Sequence, residues 1–158
     1  MAGVRWLDEH EEEAWRGLQF MQLQLTSTLA RELAEESGIS YQDYIVLVAL
    51  TDRPDGRMRA FELGRVLGWE KSRLSHHLSR MVERGFVTRK KCTTDQRGAF
   101  VVVTKRGRKA IEAAAPGHVA GVRRHFVDLL TLEQLAALSS IAGTVLDGLN
   151  EECDDAPD

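Results

Sequence analysis

Residues 69–85 read Trp69-Glu70-Lys71-Ser72-Arg73-Leu74-Ser75-His76-His77-Leu78-Ser79-Arg80-Met81-Val82-Glu83-Arg84-Gly85, and this stretch decides the fold. Leu74, Leu78, Met81 and Val82 recur at helical spacing. They therefore share one narrow face of a helix running from about Glu70 to Arg84. Gly85 stops that helix. The opposite face carries Ser72, Arg73, His76, Ser79 and Arg80, all hydrogen-bond donors, with Glu83 as the exception near the far end. Any amphipathic surface helix has a polar side, so the neighbours of this helix must decide what the face is for.

Upstream, Phe61, Leu63, Val66 and Leu67 mark a short helix from about Ala60 to Leu67, ended by Gly68. A short helix, a Gly-containing turn and a second helix with a donor-rich outer face form a helix-turn-helix. Downstream, Phe86 to Lys91 and Ala99 to Val103 read as two strands joined by the polar loop Cys92-Thr93-Thr94-Asp95-Gln96-Arg97-Gly98. Arg89, Lys90 and Lys91 make the first strand basic, and Arg97 sits near the loop tip. Such a wing suits phosphate contact along its strands and insertion of one arginine into a minor groove. Asp95 is placed to brace the Arg97 guanidinium and to cap N–H groups of the turn.

The charge distribution agrees. The 158 residues carry a formal net charge of -3, but between Arg59 and Lys109 there are 14 Lys/Arg and 4 Asp/Glu, a local net of +10. The remainder holds 7 basic and 20 acidic residues, a net of -13. A basic middle on an acidic frame is the electrostatic footprint of a nucleic-acid-contacting module. No apolar run reaches the roughly 20 residues needed to cross a bilayer, so no membrane partner is expected. The N-terminus lacks a signal-peptide layout, and the two cysteines, Cys92 and Cys153, make no disulfide framework, which leaves a cytoplasmic location as the expectation.

The flanks read as helices. From Asp8 to about Glu36, Leu18, Met21, Leu25, Leu29 and Leu33 form one apolar stripe, closed by Gly38. Ser40 caps a second helix, with Asp43 as its box-like partner, and Arg53-Pro54-Asp55-Gly56 is turn chemistry. Thr104 opens a helix expected to reach about Leu130, kinked at Pro116-Gly117. Thr131 and Gln134 cap a last helix in which Leu135, Leu138, Ala142, Val145 and Leu149 hold helical spacing. The expected architecture is mainly α with a small β-hairpin wing. A winged helix-turn-helix over 39–107 is flanked by helical dimerisation segments at 1–38 and 108–150 and a disordered tail at 151–158. Two terminal apolar stripes exceed what a tri-helical centre covers, so a partner subunit is expected.

Together these residues resemble the MarR family of bacterial regulators along nearly the whole chain. The resemblance is carried by Lys71-Ser72-Arg73-Leu74-Ser75-His76-His77-Leu78, Met81-Val82-Glu83-Arg84-Gly85-Phe86-Val87, the wing motif Asp95-Gln96-Arg97-Gly98, and Val103-Thr104 with Gly107. It implies a homodimeric transcriptional regulator on a palindromic site in double-stranded DNA, with repression as the expected mode and no cofactor. It implies Arg97 in the minor groove and Ser72, Arg73, Ser75, His76 and Arg80 as recognition-helix contacts. The basic residues beside them, Lys71 at the helix start and Arg89 and Lys91 on the wing, join the candidate DNA contacts, the last two for phosphates. One departure is visible: Phe61 precedes Glu62-Leu63 where the family usually starts this short helix with a small hydroxyl residue, which leaves its N-cap open.

Many members release DNA when a small aromatic or phenolic molecule binds. Trp15, Tyr44 and Trp69 are the candidates here for such an effector pocket, set against plain core and interface packing. Two alternatives share the same motifs: a constitutive architectural DNA binder without an effector, and a redox sensor using Cys92, although the family's redox sensors carry their cysteine in the N-terminal helix. His118 and His125 lack a clear third ligand for a metal. An enzyme is not expected, because Ser75, His76 and His77 point about 100° apart in succession and no phosphate loop, HExxH or CxxC pattern is present.

Overall fold

A computed structural model describes residues 3–91 and 99–154. The elements are α1 (Glu9–Ser37), α2 (Tyr41–Thr51), β1 (Arg57–Arg59), α3 (Ala60–Leu67), α4 (Lys71–Glu83), β2 (Val87–Lys91), β3 (Ala99–Val103), α5 (Lys105–His125) and α6 (Leu132–Asp154). The expected mainly helical chain with a small antiparallel wing is what the structure shows.

Local chemistry starts the helices at Ser40 and Thr131, where the sequence places caps, and at Asp8, which the sequence pattern does not single out as one. Asp8 accepts from the Glu11 N–H at 2.9 Å while Glu11 accepts from the Asp8 N–H at 2.9 Å. Ser40 and Asp43 form the same reciprocal box at 3.0 and 3.3 Å, as do Thr131 and Gln134 at 3.2 and 2.9 Å. The open question at α3 is answered without a hydroxyl: the Arg59 N–H donates to Glu62 Oε2 at 3.1 Å, and Phe61 points to solvent.

Two expectations are corrected. Instead of a two-stranded wing, a three-stranded sheet forms in the order β1-β3-β2, with Met58 opposite Val101 and Val87 opposite Val103. Three residues of β1 are too few to show an alternating pattern, yet they bury Met58 against the core. The helix expected to reach Leu130 stops at His125 and gives way to a single 3-10 turn, Val127–Leu129, although Pro116 lies within it. At the other end, α6 continues to Asp154, four residues into the stretch 151–158 expected to be disordered; residues 155–158 lie outside the described set.

The chain divides into two compact units, Met1–Val119 and Ala120–Asp158. In the first, Val46, Leu47 and Leu50 of α2, Leu63 of α3, Leu78 and Met81 of α4, and Val87 and Val101 of the sheet make one continuous core. Only the C-terminal end of the α1 stripe joins the buried set, through Leu29 and Leu33; Leu18 and Met21 are exposed, as are Phe20 and Leu23 beside them. In the second unit, Ile141, Val145, Leu146 and Leu149 of α6 are each more than half exposed.

The junction between wing and α5 is close-packed. Thr104 Oγ1 donates to Gly85 O at 2.7 Å and accepts the Gly107 N–H at 3.0 Å, so one hydroxyl ties the end of α4 to the start of α5. Gly85 itself turns back with φ of 75°, a conformation that glycine alone adopts cheaply. A Cβ on Gly107 would fall 2.1 Å from the Phe86 carbonyl oxygen. Gly107→Ala is therefore expected to cost about 1–3 kcal/mol by forcing backbone apart, read as a lowered denaturation midpoint. A midpoint equal to that of the wild type would overturn this packing account.

Candidate nucleic-acid interface

The helix α4 separates its two sides sharply. Leu74, Leu78 and Met81 are buried, whereas Lys71, Ser72, Arg73, Ser75, His76, Ser79 and Arg80 are all exposed. Between Lys71 and Val82 there is no acid. Val82, expected inward, is exposed, and the fourth buried position is taken by His77. The rear of the helix is thus held by three apolar side chains and one imidazole.

The imidazole belongs to a polar cluster that fastens α4 to α2. Asp43, besides its place in the α2 capping box, receives a hydrogen bond from Arg84 Nη1 on Oδ2, while His77 Nε2 stands 3.1 Å from Oδ1. Burial by itself would raise the Asp43 carboxyl, but the hydrogen bonds from His77, Ser40 and Arg84, with the Arg84 charge, outweigh it. Together they lower the pKa from 3.8 to about 2. On its other side, His77 Nδ1 lies 3.1 Å from Arg80 Nη2. Sequence reasoning finds Asp43 as a cap and assigns His77 no role. The signal was available, since His77 is three residues after Leu74 and so stands about 60° from it, on the shoulder of the apolar face.

Further contacts arrange the exposed side. Trp69 sets its ring beneath the Arg73 guanidinium at 4.6 Å and meets the His77 ring in a T-shaped contact, with centroids 5.3 Å apart at 83°. Arg89 of β2 reaches back to α4, donating to Ser75 O at 2.7 Å and Ser79 Oγ at 3.2 Å, which locks the first wing strand to the helix. The added strand β1 contributes Arg57 and Arg59, whose guanidiniums lie 5.0 and 5.4 Å from the Phe100 ring centroid. A depression of about 520 Å³ beside α4 is lined by Gln42, Trp69, Ser72, Arg73, His76, His77 and Arg80. Arg97, Asp95 and Cys92 lie outside the described residues, and so does the side chain of Lys91 at the end of β2.

The three aromatic residues considered for an effector pocket are not brought to one place. Trp69 lines the depression, which includes neither of the others; Trp15 is exposed on α1; and Tyr44 is buried with its ring 4.4 Å from that of His118. Burial raises the Tyr44 phenol and lowers the His118 imidazole from their ordinary values. Among the described residues, no group of three His, Cys, Asp or Glu side chains is arranged to hold a metal, and no single helix is long and apolar enough to cross a membrane.

Comparison with known proteins agrees with this architecture. Residues 37–98 match the model of the MarR family. The crystal structure of AbsC, a MarR family transcriptional regulator from Streptomyces coelicolor, is 37% identical and superposes with a TM-score of 0.86 over 94% of this chain and 99% of the other. Sco3205, a MarR family transcriptional regulator from the same organism solved in complex with DNA, is 36% identical with a TM-score of 0.86, covering 92% of each chain. The organic hydroperoxide resistance transcriptional regulator of Bacillus subtilis is 26% identical over 124 residues, 77% of this chain and 80% of that protein.

The Asp43 cluster has a stability consequence with a definite sign. A carboxyl whose pKa falls on folding stabilises the fold above its unfolded value, near 4, and this contribution disappears as the pH drops through about 2. Asp43→Asn is expected to lose about 2 kcal/mol at neutral pH, and the gap to the wild type should close in acid. Urea unfolding of both proteins across a pH series measures it; a gap independent of pH would refute the assignment.

Proposed function

The chain belongs to the MarR family of transcriptional regulators, and on that footing we propose that it acts as a homodimeric repressor on a palindromic operator. The observation that carries the reading is the exposed face of α4, free of acids from Lys71 to Val82 and backed by a buried cluster against α2. One such helix fits a major groove, where Lys71, Ser72, Arg73, Ser75, His76 and Arg80 supply donors for base edges and phosphates. Arg89, turned toward α4, and Lys91 serve adjacent phosphates. Arg97 enters the minor groove, with Asp95 bracing it. That Sco3205 is solved in complex with DNA supports the same use of this chain.

In this proposal residues 39–107 read DNA, and the segments 1–38 and 108–150 join two subunits. Exposed Leu18, Phe20 and Met21 on α1 support the second assignment, as separately do Ile141, Val145 and Leu149 on α6, since apolar faces of this extent seek cover. Two copies related by a twofold axis would present their α4 helices to half-sites about one helical turn apart. Release would follow the binding of a small aromatic or phenolic molecule; of the candidate residues, Trp69 alone opens onto the depression beside α4.

Selection of bound duplexes from a random pool tests the reading directly. Enrichment of an inverted repeat is expected, and uniform recovery of all sequences would identify an architectural binder instead. Light scattering at micromolar concentration is expected to give a dimer mass, and a monomer would refute the helical-frame assignment. Arg97→Ala is expected to weaken binding to the enriched site by about 1–3 kcal/mol with the dimer intact. Unchanged affinity would remove Arg97 from the contact set.

A further inference from the structure

We propose that His77 is a positioning residue for DNA recognition: its Nδ1 holds the Arg80 guanidinium in the orientation that meets DNA. The inference rests on the reading of α4 as the DNA-contacting helix and names a buried residue that makes that contact effective.

Arginine only donates, so the 3.1 Å approach of Arg80 Nη2 to His77 Nδ1 makes Nδ1 the acceptor. The imidazole proton then resides on Nε2, which faces the ionised Asp43 Oδ1 at 3.1 Å. The Arg80 contact sets Nδ1 as the acceptor, and the carboxylate charge 3.1 Å from Nε2 favours the proton there without an aligned hydrogen bond. A lone pair therefore faces the helix surface and takes one of the five N–H donors of Arg80. The Trp69 ring packs against the imidazole in a T-shaped contact, with centroids 5.3 Å apart at 83°. His77 is itself 8% exposed and cannot reach DNA, whereas Arg80 is exposed beside Ser72, Arg73 and His76.

The chemistry predicts what this chain of contacts does. An arginine on an exposed helix face loses considerable side-chain entropy when it docks on a base or phosphate. One anchored through a nitrogen has already lost part of that freedom, while its remaining donors stay available. His77 therefore acts on DNA only through Arg80, which separates it from a residue that merely stabilises the fold.

Two amide substitutions dissect the imidazole. Asn places an oxygen where Nδ1 lies and keeps the acceptor for Arg80; Gln places an NH2 where Nε2 lies and keeps the donor to Asp43. Binding is measured on the duplex most enriched from the random pool, with thermal melting alongside. His77→Gln should bind about tenfold more weakly than wild type, close to Arg80→Ala, while melting near wild type. His77→Asn should melt earlier and bind within about threefold of wild type. Adding His77→Gln to Arg80→Ala should weaken binding by less than about twofold beyond Arg80→Ala, because the two act through one contact.

Multiplicative losses in the double variant would overturn the proposal, as would wild-type affinity of His77→Gln alongside a weakened Arg80→Ala. Wild-type affinity of Arg80→Ala would overturn it together with the reading of Arg80 as a DNA contact. A nitrogen-15 spectrum of the unmutated free protein near neutral pH gives an independent check. An unprotonated Nδ1 on His77 is expected, and a proton found there rules out the acceptor role.

Discussion

A carboxylate taken out of water must be compensated by partners or it destabilises the protein that buries it, and Asp43 is such a group. Its partners come from two distant parts of the sequence. Ser40 sits three residues before it, and His77 on α4 and Arg84 at its C-cap lie more than thirty residues later. Satisfying one charge therefore fixes the start of α2, the rear of α4 and the exit of α4 toward the wing. Hydrophobic packing of Leu74, Leu78 and Met81 drives α4 onto the core, but apolar contact is weakly directional. The polar cluster sets the rotation of the helix, and hence which side chains face outward.

The wing is attached by the same means. Arg84 ends α4, Gly85 reverses the chain, and Thr104 bonds to the Gly85 carbonyl while capping α5. Arg89 returns from β2 to the carbonyl of Ser75 and the hydroxyl of Ser79. The third strand, β1, pairs with β3 and closes the inner edge of the sheet. Helix and sheet are therefore coupled through hydrogen bonds, and the start of α5 approaches the Phe86 carbonyl so closely at Gly107 that a Cβ has no room there. For a regulator that must offer several donors at once to a groove of fixed dimensions, this rigidity reduces the ordering cost of binding.

The rest of the molecule is built differently. Much of α1 and α6 leaves apolar side chains in solvent. The acidic ends and the basic middle divide along the same line, with the +10 segment holding the helix-turn-helix and the wing. The proposed dimer explains both facts, because covering the apolar faces would bring two basic segments to one DNA duplex.

Sequence periodicity and caps were enough to determine the order of helices, the Ser40 and Thr131 starts, the extent of α3 and β3, and the outward set Ser72, Arg73, His76, Ser79 and Arg80. These are local matters, decided within one or two helical turns by side-chain spacing and backbone hydrogen bonding. Tertiary structure alone decided the features that depend on distant partners. The three residues of β1 become a strand only because β3 offers a free edge, and α5 ends at His125 despite a pattern that ran further. His77, adjacent to His76 in a polar stretch, became a buried link between Asp43 and Arg80. No spacing rule assigns that role, since an imidazole takes its tautomer and its function from whatever stands at each ring nitrogen, and here one of those groups comes from another helix.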